Sequence, residues 1–213
     1  MKSKKNLLEQ LKSLPHFSKD SLYQLGKQLG LADATVDTYI SRFLKHKEII
    51  QLKKGLYIST DFLNRNRSDI SYSFYLANVI RTPSYVSSWA ALQFYNLTTE
   101  VIHSVTSVTL KVTRDYKTKA GNFAYQSIKR DLFTNFSLIK RDSASPTSRF
   151  DFFIASASKA LFDLLYFRTH QFRGVRSKDL KTLVEELRID IVEMDKKERS
   201  KFYTMTEEYL SDE

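Results

Sequence analysis

The sequence predicts an α/β chain of the α+β kind, in which helical and strand-forming runs occupy separate stretches. Three observations carry this expectation. Leucines at helical spacing dominate residues 7–44, a short apolar strand pair surrounds a Lys-Lys-Gly turn at 48–59, and β-branched or aromatic runs fill 104–155 before helical periodicity returns.

Leu7, Leu8, Leu11 and Leu14 lie on one helical face ahead of Pro15, which cannot continue a helical ladder. Ser18 is the expected N-cap of a second helix with Leu22, Leu25 and Leu29 on one side and Gly30 at its end. Asp33 is the expected cap of a third, whose buried stripe is Val36, Ile40, Phe43 and Leu44. Glu48–Leu52 and Leu56–Ser59 then read as two strands joined by Lys53, Lys54 and Gly55. Three helices followed by a basic hairpin form the winged variant of the helix-turn-helix. The expected division is a winged helix-turn-helix DNA-binding domain over 1–60, a polar linker over 61–69 and a mixed α/β domain with an antiparallel sheet and C-terminal helices over 70–213.

In that geometry the third helix enters the major groove. Arg42 is placed to pair with a guanine edge, and Thr35, Thr38 and Tyr39 to touch bases or phosphates. Lys45, Lys53 and Lys54 would hold the DNA backbone. Asp37 is expected to lie off the contact surface, because a carboxylate there would repel phosphate. The alternative is a solvated polar stripe used for protein contacts. Arg65 and Arg67 fit either flanking phosphates or a solvated linker.

Charge agrees with a polyanionic partner. Residues 1–60 hold 11 Lys and Arg against 5 Asp and Glu, and residues 61–150 hold 12 against 6, whereas 151–213 hold 11 against 13. The front two-thirds therefore carries +12, which the −2 of the remainder reduces to the net charge of +10. No apolar run is long enough to span a membrane, and Glu9, Gln10 and Lys12 interrupt the only segment resembling a signal core, so a cytoplasmic chain without membrane partners is expected. Without cysteine, and with His16, His46, His103 and His170 scattered, no metal site is expected.

Beyond the linker, helical spacing covers Ile70–Arg81, a strand is expected around Tyr85–Ser87 and a helix over Ser88–Tyr95. Ser104–Thr113, with Val108, Leu110 and Val112 turned inward, and Phe123–Lys129 read as neighbouring antiparallel strands. Phe136–Lys140 and Arg149–Ala155 read as further strands around a polar loop at Asp142–Ser148, and helices follow at Ser158–Phe167, Lys178–Leu187 (capped by Ser177) and Lys196–Leu210.

No Walker loop, dinucleotide turn or GxSxG elbow is present, so neither an enzyme nor a cofactor is expected. Lys159 and Asp163, one helical turn apart, read as a structural ion pair in preference to an acid-base pair. Trp89, Phe94, Tyr95, Phe162, Tyr166 and Phe167 read as core in preference to a ligand pocket. Glu185, Glu186 and Asp190 read as a solvated face.

The run TPSYVSSWAALQFYNL at Thr82–Leu97 resembles a segment of the AbiEi-type antitoxins, transcriptional regulators of type IV toxin-antitoxin and abortive-infection systems. SVTSVTLKVTRDYKTKAGNFAYQSIK at 104–129 is similar to that family's strand, basic turn and Gly-x-Phe-x-Tyr return strand. In IASASKALFDLLY at Ile154–Tyr166, Lys159, Ala160, Leu161, Asp163 and Leu164 match its Pro-Glu-Lys-Ala-Leu-x-Asp helix start. Asn96 stands where the family often has glycine, which an asparagine in a left-handed C-cap accommodates. Ala157 and Ser158 replace Pro-Glu, leaving Ser156 to cap that helix. The resemblance implies an autorepressor that binds inverted repeats in its own promoter and counteracts a co-expressed nucleotidyltransferase-like toxin, with or without touching it. A winged-helix regulator of unrelated genes and a protein-interaction adaptor are the alternatives.

Overall fold

The structure, a computed structural model, describes residues 2–101, 103–140 and 150–211. It is mixed α/β. The first unit runs α1 (Lys2–Leu11), β1 (Phe17–Ser18), α2 (Lys19–Gln28), α3 (Asp33–Lys45), β2 (Ile49–Lys53) and β3 (Leu56–Ser59). The strands form an antiparallel sheet in the order β1-β3-β2. As the sequence predicts, the Ser18 side chain caps α2 by accepting from the Ser21 N–H, and Gly30 takes a left-handed φ of 69° in the turn before α3. Ala32, not Asp33, occupies the cap of α3. Asp33 is the first helical residue, where its charge complements the helix N-terminus. The α2–α3 crossing is close because Gly26 lacks a side chain: a Cβ there would lie 2.4 Å from Val36 Cγ2. Leu7, Leu11, Leu22, Val36, Ile40 and Phe43 fill the core beneath.

The hairpin β2–β3 is buried on both faces. Ile49 and Tyr57 join the small core, while Ile50, Leu52, Leu56 and Ile58 join the core of the rest of the chain. The segment expected as a polar linker at 61–69 is largely α4 (Thr60–Asn66). Its buried Leu63 and half-buried Phe62 anchor it, a spacing too short to show helical period among Asn, Asp and Arg. Phe62, Tyr72 and Phe150 form an aromatic seam with ring centroids 4.8–6.1 Å apart. Tyr72 Oη donates to the Pro15 carbonyl (2.7 Å), and Tyr75 Oη meets His16 Nδ1 (2.6 Å), so α1 and β1 are joined to the following helix.

That helix is α5 (Ile70–Ile80), capped by Asp69. After it come β4 (Ser84–Val86), α6 (Ser88–Phe94), β5 (Ser104–Thr109), β6 (Arg114–Thr118), β7 (Gly121–Ser127), β8 (Phe136–Ile139), β9 (Phe152–Ala155), α7 (Ala157–Arg168), α8 (Leu180–Glu186) and α9 (Lys196–Ser211). The sheet order is β6-β7-β5-β4-β9-β8. An antiparallel sheet was expected, and three of the pairings are antiparallel, but β5 runs parallel to β7 and β4 parallel to β9, so the sheet is mixed. The expected strand 104–113 stops at Thr109, leaving Val112 exposed, and β6 is an additional strand that pairs antiparallel with β7. α5 covers one face through Phe74 on Phe152 and a hydrogen bond from Tyr125 Oη to the Ala77 carbonyl (2.6 Å). α6 and α7 cover the other through Ala90 N–H to Thr106 Oγ1 and Tyr85 Oη to Asp163. Ile70, at the first turn of α5, is exposed. The expected helix over Lys178–Leu187 begins as a 3₁₀ turn at Ser177–Asp179, so Asp179, not Ser177, precedes α8. The expected loop 142–148 and the strand start at Arg149 lie outside the described residues. No described helix is long and apolar enough to cross a membrane.

Asn96 has the left-handed φ, 57°, expected after α6, and Ser156 caps α7 by accepting from the Lys159 N–H. Glu198 of α9 adds a second cap, accepting from the Ser158 N–H (3.1 Å) and Oγ (2.7 Å). Desolvation pushes the Glu198 carboxyl up, but the donors Lys201 and Ser158 outweigh it and hold the group at about 2. Further along α7, Lys159 and Asp163 form a fully buried ion pair. Asp163 also accepts from Ser87 Oγ (2.6 Å) and Tyr85 Oη (3.1 Å), which ties α7 to the β4–α6 junction.

Two outcomes follow for stability. Lys159→Met or Asp163→Leu alone leaves a buried charge without its partner and should cost about 3–5 kcal/mol in urea denaturation, whereas the double variant should cost less than either. A group held below its unfolded value stabilises the fold above that value and loses the contribution as pH falls through its folded value. The stability gap between the wild type and Glu198→Gln should therefore be full at neutral pH, shrink below pH 4.5 and close near pH 2; a pH-independent gap would contradict the assignment.

Candidate nucleic-acid interface

The exposed face of α3 follows from its buried one. With Val36, Ile40 and Phe43 inside, Ala34, Thr38, Ser41, Arg42 and Lys45 form the stripe open to solvent. Thr38 Oγ1 donates to the Ala34 carbonyl and Ser41 Oγ to the Asp37 carbonyl, both at 3.0 Å. These bonds hold the hydroxyls against the helix. Arg42 and Lys45 extend from its last turns, while Thr35 and Tyr39 are half-buried, Tyr39 tilted against Phe43.

Asp37 is the one carboxylate within the body of α3. It is drawn toward α2, where Lys19 Nζ lies 2.9 Å from it and Tyr23 Oη donates to it (2.9 Å). Hydrogen bonds from Lys19 first and Tyr23 second hold its carboxyl below the ordinary aspartate range. The negative charge is thus paired on the α2 side, and the stripe itself presents hydroxyls and cations.

The two hairpin lysines separate. Lys54 is exposed beside Gly55, whose φ of 77° makes the turn. Lys53 was expected at the solvent-facing tip, but the pairing register slips between Gln51 and Lys53, placing Lys53 opposite Leu56. One residue of slip exchanges the faces of a strand, so Lys53 turns toward the larger domain. Its Nζ donates to the Ile80 carbonyl at the end of α5 (2.5 Å). Burial, and then the neighbouring Lys111 and Arg81 cations against the opposing influence of Tyr116, hold Lys53 below the usual lysine range. It is a tether between hairpin and α5.

Arg81, the next residue after Ile80, is buried beneath the second basic hairpin. Its guanidinium donates to the Val112 carbonyl and to Tyr116 Oη, and stacks over Tyr125. The corner Ile80–Arg81 therefore holds β2 on one side and the β5–β6 connection on the other. Lys111, Arg114, Lys117 and Lys119 are exposed on that connection and on β6–β7, next to the strand that ends in Lys53. Sequence reasoning had not assigned these four to the interface. The signal was their density in KVTRDYKTK, but without the fold nothing placed them beside residues 49–59. Arg65, offered as a phosphate contact or a free linker residue, donates to the Lys12 carbonyl, while Arg67 is exposed.

The other candidate chemistry is structural. Lys159 and Asp163 are 1% and 0% exposed, and Phe162 and Tyr166 are buried. Trp89, Phe94, Tyr95 and Phe167 are half-buried against the same core, and Glu185, Glu186 and Asp190 are exposed. Among the described residues no group of three or more His, Asp or Glu could hold a metal ion. No protein-family model matches the chain, and no curated protein matches it.

The lysines should separate by experiment. Lys53→Ala should lower the denaturation midpoint by removing the Ile80 tether, a loss on the order of 1–3 kcal/mol. Lys54→Ala should leave stability within about 0.5 kcal/mol.

Proposed function

We propose that this chain is a DNA-binding autorepressor whose first 60 residues form a winged helix-turn-helix, with α3 as the recognition helix and β2–β3 as the wing. The observation that carries the reading is the α3 stripe Thr38–Ser41–Arg42–Lys45, kept free of its own carboxylate by the Asp37–Lys19–Tyr23 contacts. Arg42 supplies the bidentate donor geometry that a guanine edge accepts, and Thr38 a short polar contact beside it. Lys45 and Lys54 neutralise phosphates. Thr35 and Tyr39 support the helix more than they reach from it, and Lys53 acts by fixing the wing. Lys111, Arg114, Lys117 and Lys119 extend the cationic surface from the wing onto the larger domain, so the duplex would meet both parts of the chain.

The antitoxin half of the reading rests on the resemblance of residues 82–97, 104–129 and 154–166 to the AbiEi-type segments. In that reading the larger domain counteracts a co-expressed nucleotidyltransferase-like toxin, and the inverted repeats of the chain's own promoter are the operator.

Binding to a duplex from upstream of the gene tests the first half. Arg42→Ala should weaken that complex by about 1–3 kcal/mol and a scrambled duplex less. Lys54→Ala should weaken both duplexes alike and reduce the salt slope by about 0.9. Absent or salt-insensitive binding by the wild type would contradict the reading. For the second half, a nucleotidyltransferase gene should adjoin this one, and co-expression should relieve the arrest that the enzyme causes. Continued arrest would contradict the antitoxin role alone.

A further inference from the structure

Two neighbouring strands of the six-stranded sheet part where they begin. β4 and β9 run parallel and meet in register at Val86 and Ile154, but ahead of that pair the Asn78 side chain of α5 stands between them. Its Nδ2 donates to the Ser84 carbonyl (3.3 Å), and its Oδ1 accepts from the Phe153 N–H (2.6 Å). A helix side chain thus takes the place of ladder bonds, and a cavity of about 360 Å³ opens beside it. Clefts that take small ligands start at roughly 300 Å³.

The wall is mostly apolar, with Val79, Pro83, Phe133 and Phe136 among its members. Its amide and two of its hydroxyls are already engaged. Asn78 is used at both ends, Thr82 Oγ1 donates to the Asn78 carbonyl (2.8 Å), and Tyr75 Oη meets His16 Nδ1 (2.6 Å). Ser84 is the exception. It is 6% exposed and lines the cavity, and its hydroxyl has no hydrogen-bond partner among the described residues. Tyr85 turns to Asp163 on the α7 side of β4, so strand alternation turns Ser84 to the α5 side. Native proteins leave few buried hydroxyls unpaired, and one that lines an apolar cavity is a bonding point for a ligand.

We propose that this cavity binds a neutral aromatic molecule of one or two fused rings, bonded through one polar atom to Ser84 Oγ, and that its occupation holds α5 and the winged unit together. Each part of that description comes from the wall. The aromatic lining and the volume set the ring system, and the single unpaired hydroxyl sets one polar atom. Asp151 is the one charged residue in the wall, so an anion is repelled and finds no cation to pair with.

The coupling follows from what else α5 holds. Tyr75, in the cavity wall, bonds His16 ahead of β1, and the Ile80 carbonyl at the end of the same helix accepts from Lys53 of the hairpin. A ligand that binds this arrangement of α5 favours it over any other. The site does not depend on what α3 reads.

Nuclear magnetic resonance titration of the full chain without DNA tests this, with indole as the probe and indene, the same shape without the N–H, as its control. Indole should bind saturably with a dissociation constant on the order of 0.1 mM. Indene should bind about fivefold more weakly, because it leaves Ser84 unbonded. The His16 ring resonances should move along the indole saturation curve. Ser84→Ala should reduce indole to the affinity of indene with an unchanged far-ultraviolet spectrum, and Val79→Phe, which fills the cavity, should abolish binding of both. Absence of saturable binding by the wild type would overturn the proposal. So would equal wild-type affinity for the two probes, or an unchanged preference for indole in Ser84→Ala. His16 resonances that stay fixed at saturation would overturn the coupling to the winged unit.

Discussion

The arrangement of this protein depends on one constraint: the β2–β3 hairpin is apolar on both faces and is buried on both. Ile49 and Tyr57 face the three-helix core, and Ile50, Leu52, Leu56 and Ile58 face the larger one. Burial of each such side chain stabilises by about 1.5–3 kcal/mol, so the outer face alone is comparable with the whole net stability of a typical domain. A wing that projects freely would have a polar outer face. Here the hairpin is the shared wall of two cores, and the helices before it are fixed to the sheet behind it. The Tyr72–Pro15 and Tyr75–His16 contacts act in the same direction.

The placement of charge follows from that wall. Because the hairpin packs beside β6, the Ile80–Arg81 corner can hold Lys53 with one backbone carbonyl and the β5–β6 connection with the neighbouring guanidinium. Two basic hairpins from distant parts of the sequence thereby become neighbours. On the α3 side, the Asp37 carboxylate is drawn back by Lys19 and Tyr23.

Much of this was legible in the sequence where local chemistry decides structure. The periods of α1 to α3, the caps at Ser18 and Ser156 and the left-handed Asn96 each depend on residues within a turn of one another. The readings that changed depend on partners far along the chain. β6 is polar because it is an edge, and it carries Tyr116 as its inward anchor, so no alternation announced it. Once β6 intervenes, β7 returns parallel to β5, and the expected antiparallel pair becomes a mixed sheet. β1 is two residues long and exists through pairing with β3. Lys53 left the expected contact set because of a register slip, which composition does not encode. The Lys159–Asp163 spacing suggested a pair, but its complete burial, with Ser87 and Tyr85 as further partners, required the fold.

The proposed DNA-reading face and the larger domain form one cooperative unit joined through the hairpin. Native-state hydrogen exchange measures this most directly, because it assigns an opening free energy to each amide. The amides of β2 and β3 should open with the same free energy, and the same dependence on denaturant, as those of β5 and β7. Opening of α1–α3 together with β2–β3 at distinctly lower free energy, while the six-stranded sheet stays protected, would contradict the account.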